Sequence, residues 1–336
     1  MSGMPESDPA SLPFRRDRAA SRRQFLAAGL AAALASCSRS AQRRGDVFAA
    51  GQPAAILILA LAPERLLGWP RRPAPAALAL LPPSADRPEL GGLSAGGAQA
   101  ALENVAALHP ELILDYGDVN PAQRAIAERV RQRLGRPYAL VDGSLRQIPS
   151  ALVRAGELLG TPARAAELAS RASRILQGWS KSAGDGPSFY YARGGDGLET
   201  GFAHSLATEV LEGSGWTNVA VGEADIRRTS REQVAQWDPE VLVTLDPRFA
   251  RAAAGDPAWR ERRGGGRRRL LLLPDLPFGW IDRPPSVNRL LGCLWLTEDA
   301  GTESGRLEAV SDFAAFLYGR RPTADQARAC VPRWLA

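Results

Sequence analysis

The chain has 336 residues, of which 45% are hydrophobic, so it can bury a sizeable core and form two domains. The apolar fraction excludes a disordered chain despite 33 Gly and 26 Pro. Nearly all the positively charged residues are arginines, and the formal net charge of +6 is too weak over this length to indicate nucleic-acid binding.

The N-terminal residues 1–36 have the features of an export signal. A polar stretch leads to Ser21-Arg22-Arg23-Gln24-Phe25-Leu26, which is typical of the twin-arginine route. The apolar run at 25–35 is too short to span a bilayer, and it ends at Leu34-Ala35-Ser36-Cys37, which resembles a lipoprotein cleavage box. We predict a signal at 1–36, an acylated Cys37, a tether at 37–45 and a body held in the periplasm or on the outer face of the cytoplasmic membrane. The alternative is an ordinary export signal with an incidental cysteine.

From residue 46 onward, short apolar runs alternate with amphipathic stretches, as expected for α/β domains with mainly parallel sheets. A first lobe at 46–147 has predicted strands at 47–50, 66–69, 111–114 and 138–141. Helices are predicted between the first two of these strands and at 102–108 and 123–134, and a long loop rich in proline and glycine is predicted at 70–93.

Connecting helices are predicted at 148–183. Apolar residues recur at helical spacing up to Gly160, and Thr161-Pro162 then supplies the start of a further helix of about 18 residues. A second lobe at 184–336 has predicted strands at 189–192, 241–245 and 270–273, and predicted helices at 205–213, 230–237, 287–296 and 311–317. The expected architecture is two α/β lobes joined by one long rigid helix, with a ligand cleft between the lobes.

Ligands of open parallel sheets bind beyond the carboxyl ends of the strands, where loops converge. Asp142 directly follows the predicted strand at 138–141, and Asp246 directly follows the predicted strand at 241–245. The side chains that we predict to contact a ligand lie in turns at that edge or in the proline-rich loop at 274–285: Tyr116, Arg193 and Trp280 first, then Arg283 and His204.

The chemistry of these side chains suits an anionic metal chelate. A Tyr116 phenolate with carboxylates would suit ferric iron, an arginine fork matches an anionic chelator, and Trp280 offers a flat apolar platform. Each residue also has a purely structural interpretation, because Tyr116 could pack at a strand end, Arg193 could be a solvated turn charge and Trp280 could cap the core. Two histidines and scattered thiols show no metal-ligand spacing, so no protein metal site is predicted beyond Tyr116 as a candidate ligand.

Several segments resemble the periplasmic solute-binding proteins of ABC importers for iron–siderophore complexes, haem and vitamin B12. The resemblance covers roughly residues 46–320, and some relatives of the subgroup bind oxyanions. The segments that carry it are residues 102–113, Asp115-Tyr116-Gly117, residues 230–243, Phe278-Gly279-Trp280 and residues 284–292. Two of them repeat a helix followed by His109-Pro110-Glu111 or Asp238-Pro239-Glu240 and a strand, an echo visible within the chain itself.

The resemblance implies a monomeric receptor without enzymatic activity or cofactor, which delivers a ferric siderophore to a membrane permease and its ATPase. Cobamide, haem or an oxyanion such as molybdate are alternative solutes. In such proteins one glutamate on each lobe docks onto the permease, and the matching positions here are Glu103 and Glu232. Glu232 has a local alternative, because Ser230 and Gln233 form a capping box and a first-turn glutamate complements the helix dipole.

An exported serine hydrolase is the alternative of a different class. Gly92-Leu93-Ser94-Ala95-Gly96 matches G-x-S-x-G, but a proline-rich loop precedes it where a strand is required. Only His204 lies far enough downstream to act as the base. Cys293 and Cys330 are predicted to be separate thiols, although a disulfide between them is an alternative in an oxidising compartment.

Overall fold

The computed structural model describes residues 45–93, 99–181, 185–223, 225–296 and 302–335, which all belong to one compact unit. The predicted export signal, Cys37 and Ser94 lie outside the described residues.

The N-terminal lobe is built on a parallel sheet of three strands in the order β1-β2-β3. The strands are β1 (Val47–Ala49), β2 (Leu112–Gly117) and β3 (Tyr138–Asp142). The helices of this lobe are α1 (Gln52–Leu61), α2 (Pro75–Leu78), α3 (Gln99–Leu108) and α4 (Pro121–Leu134). The strand predicted at 66–69 is absent as a regular element, and only isolated bridges from Leu66 to Val47 and from Trp69 to Glu89 extend the sheet beyond β1.

Two helices follow the first sheet and precede the second along the chain. They are α5 (Ile148–Leu159) and α6 (Pro162–Lys181), and the 20 residues of α6 make it roughly 30 Å long. The two helices pack closely at Gly156, where a Cβ atom would overlap the Ala165 side chain on α6. Helix α6 also packs against α11, described below, so it contacts elements on both sides of it in the chain.

The C-terminal lobe is built on a five-stranded sheet in the order β10-β9-β8-β4-β6, parallel except for the β9–β10 pair. Its strands are β4 (Ser188–Ala192), β6 (Thr217–Asn218), β8 (Val241–Thr244), β9 (Arg269–Leu272) and β10 (Arg333–Leu335). A separate hairpin pairs β5 (Glu199–Gly201) with β7 (Ile226–Arg228). The helices are α7 (Glu209–Glu212), α8 (Arg231–Trp237), α9 (Pro247–Gly255), α10 (Pro257–Arg260), α11 (Arg289–Leu296), α12 (Glu303–Tyr318) and α13 (Ala324–Ala329).

The two lobes repeat one local structure at the end of a helix. His109 after α3 and Asp238 after α8 both have left-handed backbones, with φ of 48° and 46°. A Pro-Glu pair follows each of them and leads into β2 or β8. The internal echo found in the sequence is therefore a repeated structural unit.

A continuous hydrophobic core extends through both lobes and includes residues of β1, β4, α5, α6 and α11. Within the described ranges, no helix is long and apolar enough to cross a membrane. In the same part of the chain, Cys293 and Cys330 are not joined by a disulfide.

Candidate functional site

A cleft of about 740 Å³ lies where the loops at the carboxyl ends of both sheets meet. Side chains from both lobes line it. The polar ones are Gln52, Arg71, Asp118 and Asn120 from the N-terminal lobe, and Arg193, His204, Ser205, Asp225, Asp282 and Arg283 from the C-terminal lobe. Its volume lies in the range of small-molecule binding sites.

The N-terminal wall presents Arg71 through a reciprocal clamp. Gln52, at the start of α1, donates from Nε2 to the Arg71 carbonyl oxygen at 2.9 Å and accepts from the Arg71 backbone N–H at 3.1 Å. The clamp fixes the backbone of Arg71 and leaves its exposed guanidinium at the cleft. Within the described part of the chain, that guanidinium forms no salt bridge, whereas the adjacent Arg72 pairs with Asp86 at 2.6 Å.

The C-terminal wall presents Arg283 on a braced loop. The preceding Asp282 is only 2% exposed, and its Oδ2 accepts hydrogen bonds from Tyr191 Oη at 3.0 Å and Arg193 Nε at 2.8 Å. Arg193 also pairs with Glu199 at 2.9 Å, so two carboxylates neutralise its charge. Its guanidinium is therefore engaged within the protein, and one of its partners is the Asp282 carboxylate of the loop. Arg283 itself is exposed, with a left-handed φ of 64°, and it forms no salt bridge with a described residue.

Carboxylates from both lobes also line the cleft. Burial raises the pKa of Asp118, and the nearby carboxylates Asp142 and Asp225 raise it further, against a lowering effect of Arg289. Asp225 lies 3.8 Å from Arg227 Nε in an exposed pair, which is too loose to neutralise it fully. The exposed His204 also lines the cleft, and its backbone N–H donates to Glu212.

A buried ion pair lies behind the cleft wall. Arg289, fully buried at the start of α11, pairs with Glu209 at 2.6 Å and donates to the carbonyl oxygens of Leu206, Ser286 and Gly143. Glu209 also accepts from the Leu145 backbone N–H at 2.9 Å.

This ion pair ties the two lobes together. Gly143 and Leu145 follow β3, and Leu206 and Glu209 belong to the C-terminal lobe. A further tie joins Ser286 Oγ to the Pro53 carbonyl oxygen at 2.7 Å. The lobes are therefore held together by directed hydrogen bonds as well as by the shared core.

Of the predicted contacts, Arg193, His204 and Arg283 line the cleft, but Tyr116 and Trp280 do not. Tyr116 is 2% exposed and belongs to the core, because β2 continues to Gly117 and strand alternation turns Tyr116 to the same face as Leu112 and Leu114. Burial raises the pKa of its hydroxyl, which disfavours the phenolate that a ferric ion would need.

Trp280 is also 2% exposed, and it packs against Trp295 with ring centroids 6.0 Å apart. Burying such a large apolar side chain stabilises the loop from within, so Trp280 anchors the loop and does not form a platform at the cleft. Within the described residues, no group of three or more histidine, cysteine or acidic side chains is arranged to hold a metal ion.

The sequence-based reasoning missed Arg71, Asp118, Arg289 and Glu209. The true end of β2 would have selected Asp118 by the strand-end rule, but the predicted strand ended at 114. Arg289 had a usable signal, because a single charge beside the apolar run Leu290-Leu291-Gly292-Cys293-Leu294 needs a buried partner. Arg71 had none, since it lies in a proline-rich stretch without periodicity.

The two predicted docking glutamates lie on the outer surface. Glu103 is exposed on α3, and Glu232 is exposed in the first turn of α8. A hydrogen bond from Ser230 lowers the pKa of Glu232, so this side chain stays ionised to more acidic pH than usual. Asp246 is an N-cap, as its side chain accepts from the Arg248 backbone N–H at 2.9 Å.

Structural comparison identifies the fold. Neither a protein-family model nor a curated protein sequence matches the chain. Among solved structures, an ABC transporter solute binding protein from Sulfurospirillum deleyianum is similar with a TM-score of 0.72 at 22% identity, covering 84% of this chain and 93% of that one. A periplasmic solute binding protein from Veillonella parvula has a TM-score of 0.62 at 17% identity, covering 86% and 92%.

A third similar structure is the molybdate periplasmic binding protein of Haemophilus influenzae in complex with molybdate. Its TM-score is 0.60 at 15% identity, and the match covers 83% of this chain and 94% of that one. The chain therefore has the two-lobed α/β fold of periplasmic solute-binding proteins, as the sequence resemblance implied.

Proposed function

We propose that the protein is the solute-binding lipoprotein of an ABC importer. Its cleft would capture an anionic metal chelate, with a ferric siderophore as the leading candidate, and deliver it to a membrane permease and its ATPase. The protein would act as a monomer outside the cytoplasmic membrane after export by the twin-arginine route, anchored through an acylated Cys37.

The observation that carries this proposal is the combination of cleft volume and unpaired positive charge. Arg71 and Arg283 bring guanidinium groups from opposite lobes to a cleft of about 740 Å³ without forming salt bridges to described residues. Guanidinium forks bind carboxylate and other oxyanion groups with charge-assisted hydrogen bonds. A bare oxyanion would leave most of this volume to water, so the space favours a larger complex.

Delivery would use the outer surface of the two lobes. Glu103 and Glu232 are exposed on helices of different lobes, so a partner with two basic patches could hold both at once. The hydrogen bonds that tie the lobes behind the cleft support only a small closing motion around the solute.

The first experiment identifies the solute. Mature protein purified from its own host would be examined by native mass spectrometry and absorption spectroscopy, where a co-purified ferric siderophore, haem or cobamide has a distinct mass and chromophore. Purified protein would then be titrated with ferric siderophores, haem, cobalamin and molybdate, and thermal stabilisation without turnover would indicate binding.

The second experiment tests the arginines. Arg71→Ala and Arg283→Ala should each weaken binding about tenfold or more, because each loses a charge-assisted hydrogen bond. Arg129→Ala and Arg251→Ala are matched controls, since both residues are exposed arginines outside the cleft. Unchanged affinity in both cleft variants would refute the site, and ester hydrolysis that Ser94→Ala abolishes would support the hydrolase instead.

A further inference from the structure

The order of the strands fixes where each charged side chain lies along the N-terminal wall. The bridge between Leu66 and Val47 places the chain leading to Arg71 beside β1, on the side away from β2. Asp118 follows β2 directly. Because the strands are parallel and their carboxyl ends form one edge, this wall runs from Arg71 past Gln52 to Asp118.

Contacts between the lobes show which part of the C-terminal wall lies opposite each end of the N-terminal wall. Ser286, three residues after Arg283, hydrogen-bonds to Pro53 at the β1 end. Leu206 lies towards the other end. The Arg289 guanidinium donates from Nε to the Ser286 carbonyl oxygen and from its two remaining nitrogens to the carbonyl oxygens of Leu206 and of Gly143, just after β3.

Asp225 belongs to this second end. Its carbonyl oxygen accepts from the Phe202 backbone N–H at 2.8 Å, in the turn that leads to Leu206. Asp225 and Asp118 line the same cleft, and the Asp225 carboxylate is among the charges that raise the pKa of Asp118.

The charges of the cleft are therefore segregated. One end has the guanidinium groups of Arg71 and Arg283, one from each lobe. The other end has the carboxylates of Asp118 and Asp225, again one from each lobe. Arg193 and Asp282 neutralise each other within the C-terminal wall, so they do not cancel this separation.

We propose that the solute is dipolar, with an anionic group that binds at Arg71 and Arg283 and a cationic group, such as an ammonium, that binds between Asp118 and Asp225. This inference rests on the proposed function of the cleft and specifies the chemical class of its solute. A solute with only negative charge would place its far end against two carboxylates, whereas an ammonium there would relieve their mutual repulsion and donate hydrogen bonds to their oxygens.

The other charged groups near Asp118 and Asp225 leave these two carboxylates accessible to a cationic group of the solute. Arg227 reaches Asp225 only at 3.8 Å in an exposed pair, and Arg289 lies buried behind the wall in its ion pair with Glu209. His204 hydrogen-bonds through its backbone to Glu212. Within the described ranges, Asp118 forms no salt bridge.

The test uses one linear ferric trihydroxamate in four end-group forms. Its core is neutral because three hydroxamates balance the ferric charge, so the ends can carry a carboxylate and an ammonium, either one alone, or neither. Isothermal titration of the full mature protein should give the tightest binding for the form with both groups, by about tenfold over each singly charged form.

Variants locate the effect. Asp118→Asn and Asp225→Asn preserve side-chain shape and should reduce the affinity of the dipolar form to that of the carboxylate-only form. Asp185→Asn, an exposed carboxylate outside the cleft, should change nothing. Arg71→Ala should instead reduce the dipolar form to the affinity of the ammonium-only form.

Two results would overturn the inference. If the carboxylate-only form binds as tightly as the dipolar form, the solute is simply anionic, and the proposed function stands. If none of the four forms binds, the dipolar assignment is rejected, and the separate titration with siderophores, haem, cobalamin and molybdate decides whether the proposed function fails too.

Discussion

Removing Arg289 should cost the protein far more stability than removing a surface arginine that also forms an ion pair. The side chain is fully buried and supports Glu209 together with three backbone carbonyl oxygens from both lobes. Breaking a buried pair by removing one partner typically costs about 3–5 kcal/mol, because the remaining charge stays buried without compensation. For a unit of this size, we expect Arg289→Ala to lower Tm by about 6–10 °C.

Arg154→Ala is the matched control. Arg154 pairs with Glu157 at 3.2 Å, but both side chains are more than half exposed, and such pairs contribute about 0–1 kcal/mol. Urea unfolding followed by tryptophan fluorescence would compare the two variants with the unmodified chain. A cost below about 1 kcal/mol for Arg289→Ala would refute the reasoning.

The pH dependence gives an independent check. Burial raises the pKa of Glu209, and Arg289 opposes this effect. A carboxyl whose pKa is raised on folding stabilises the protein below its unfolded pKa and loses that contribution as pH rises through the folded pKa. Without Arg289 the pKa of Glu209 rises further, so the deficit of Arg289→Ala should shrink as pH falls and should be partly relieved by an added Glu209→Gln change. An equal deficit at acidic and neutral pH would contradict this.

Three further predictions concern other parts of the molecule. The affinity for a dipolar solute should increase as pH rises through the raised pKa of Asp118, because only the ionised carboxylate binds a cation, and Asp118→Asn should remove this slope in calorimetric titrations. Gly156→Ala should destabilise by about 1–3 kcal/mol because its Cβ overlaps the neighbouring helix, whereas Gly255→Ala has no atom within 4 Å and should leave the urea midpoint unchanged or higher. Iodoacetamide labelling read by mass spectrometry should modify Cys330 before the buried Cys293, and equal rates would show that α11 is more open than described.

The regular elements were largely predictable because periodicity and helix signals agree in them. Helix α6 begins at Pro162 as expected, and β4, β8 and β9 lie within a residue or so of their predicted bounds. The strand predicted at 66–69 was wrong, since this segment makes only isolated bridges. The hairpin of β5 and β7 was not predicted, because Glu199–Gly201 and Ile226–Arg228 are too short and too polar to show alternation.

The site was less predictable, because proximity to a strand end does not fix the direction of a side chain. A strand longer by three residues turned Tyr116 into the core and placed Asp118 at the cleft. Arg193 lines the cleft, but its two carboxylate partners come from residues 6 and 89 positions away, which no local pattern reveals. Its predicted role as a direct ligand contact remains a prediction.

Because the same helix end occurs in both lobes, residues of the two lobes can be compared by their distance from it along the helix. Glu103 lies six residues before His109, and Glu232 lies six residues before Asp238. With the same offset, each glutamate stands about 9 Å along its helix from the left-handed residue and at the same rotation about the helix axis. The chain thus carries an exposed glutamate at the same helical offset in both lobes, in matching local geometry, as the proposed docking onto a partner with two similar halves would require.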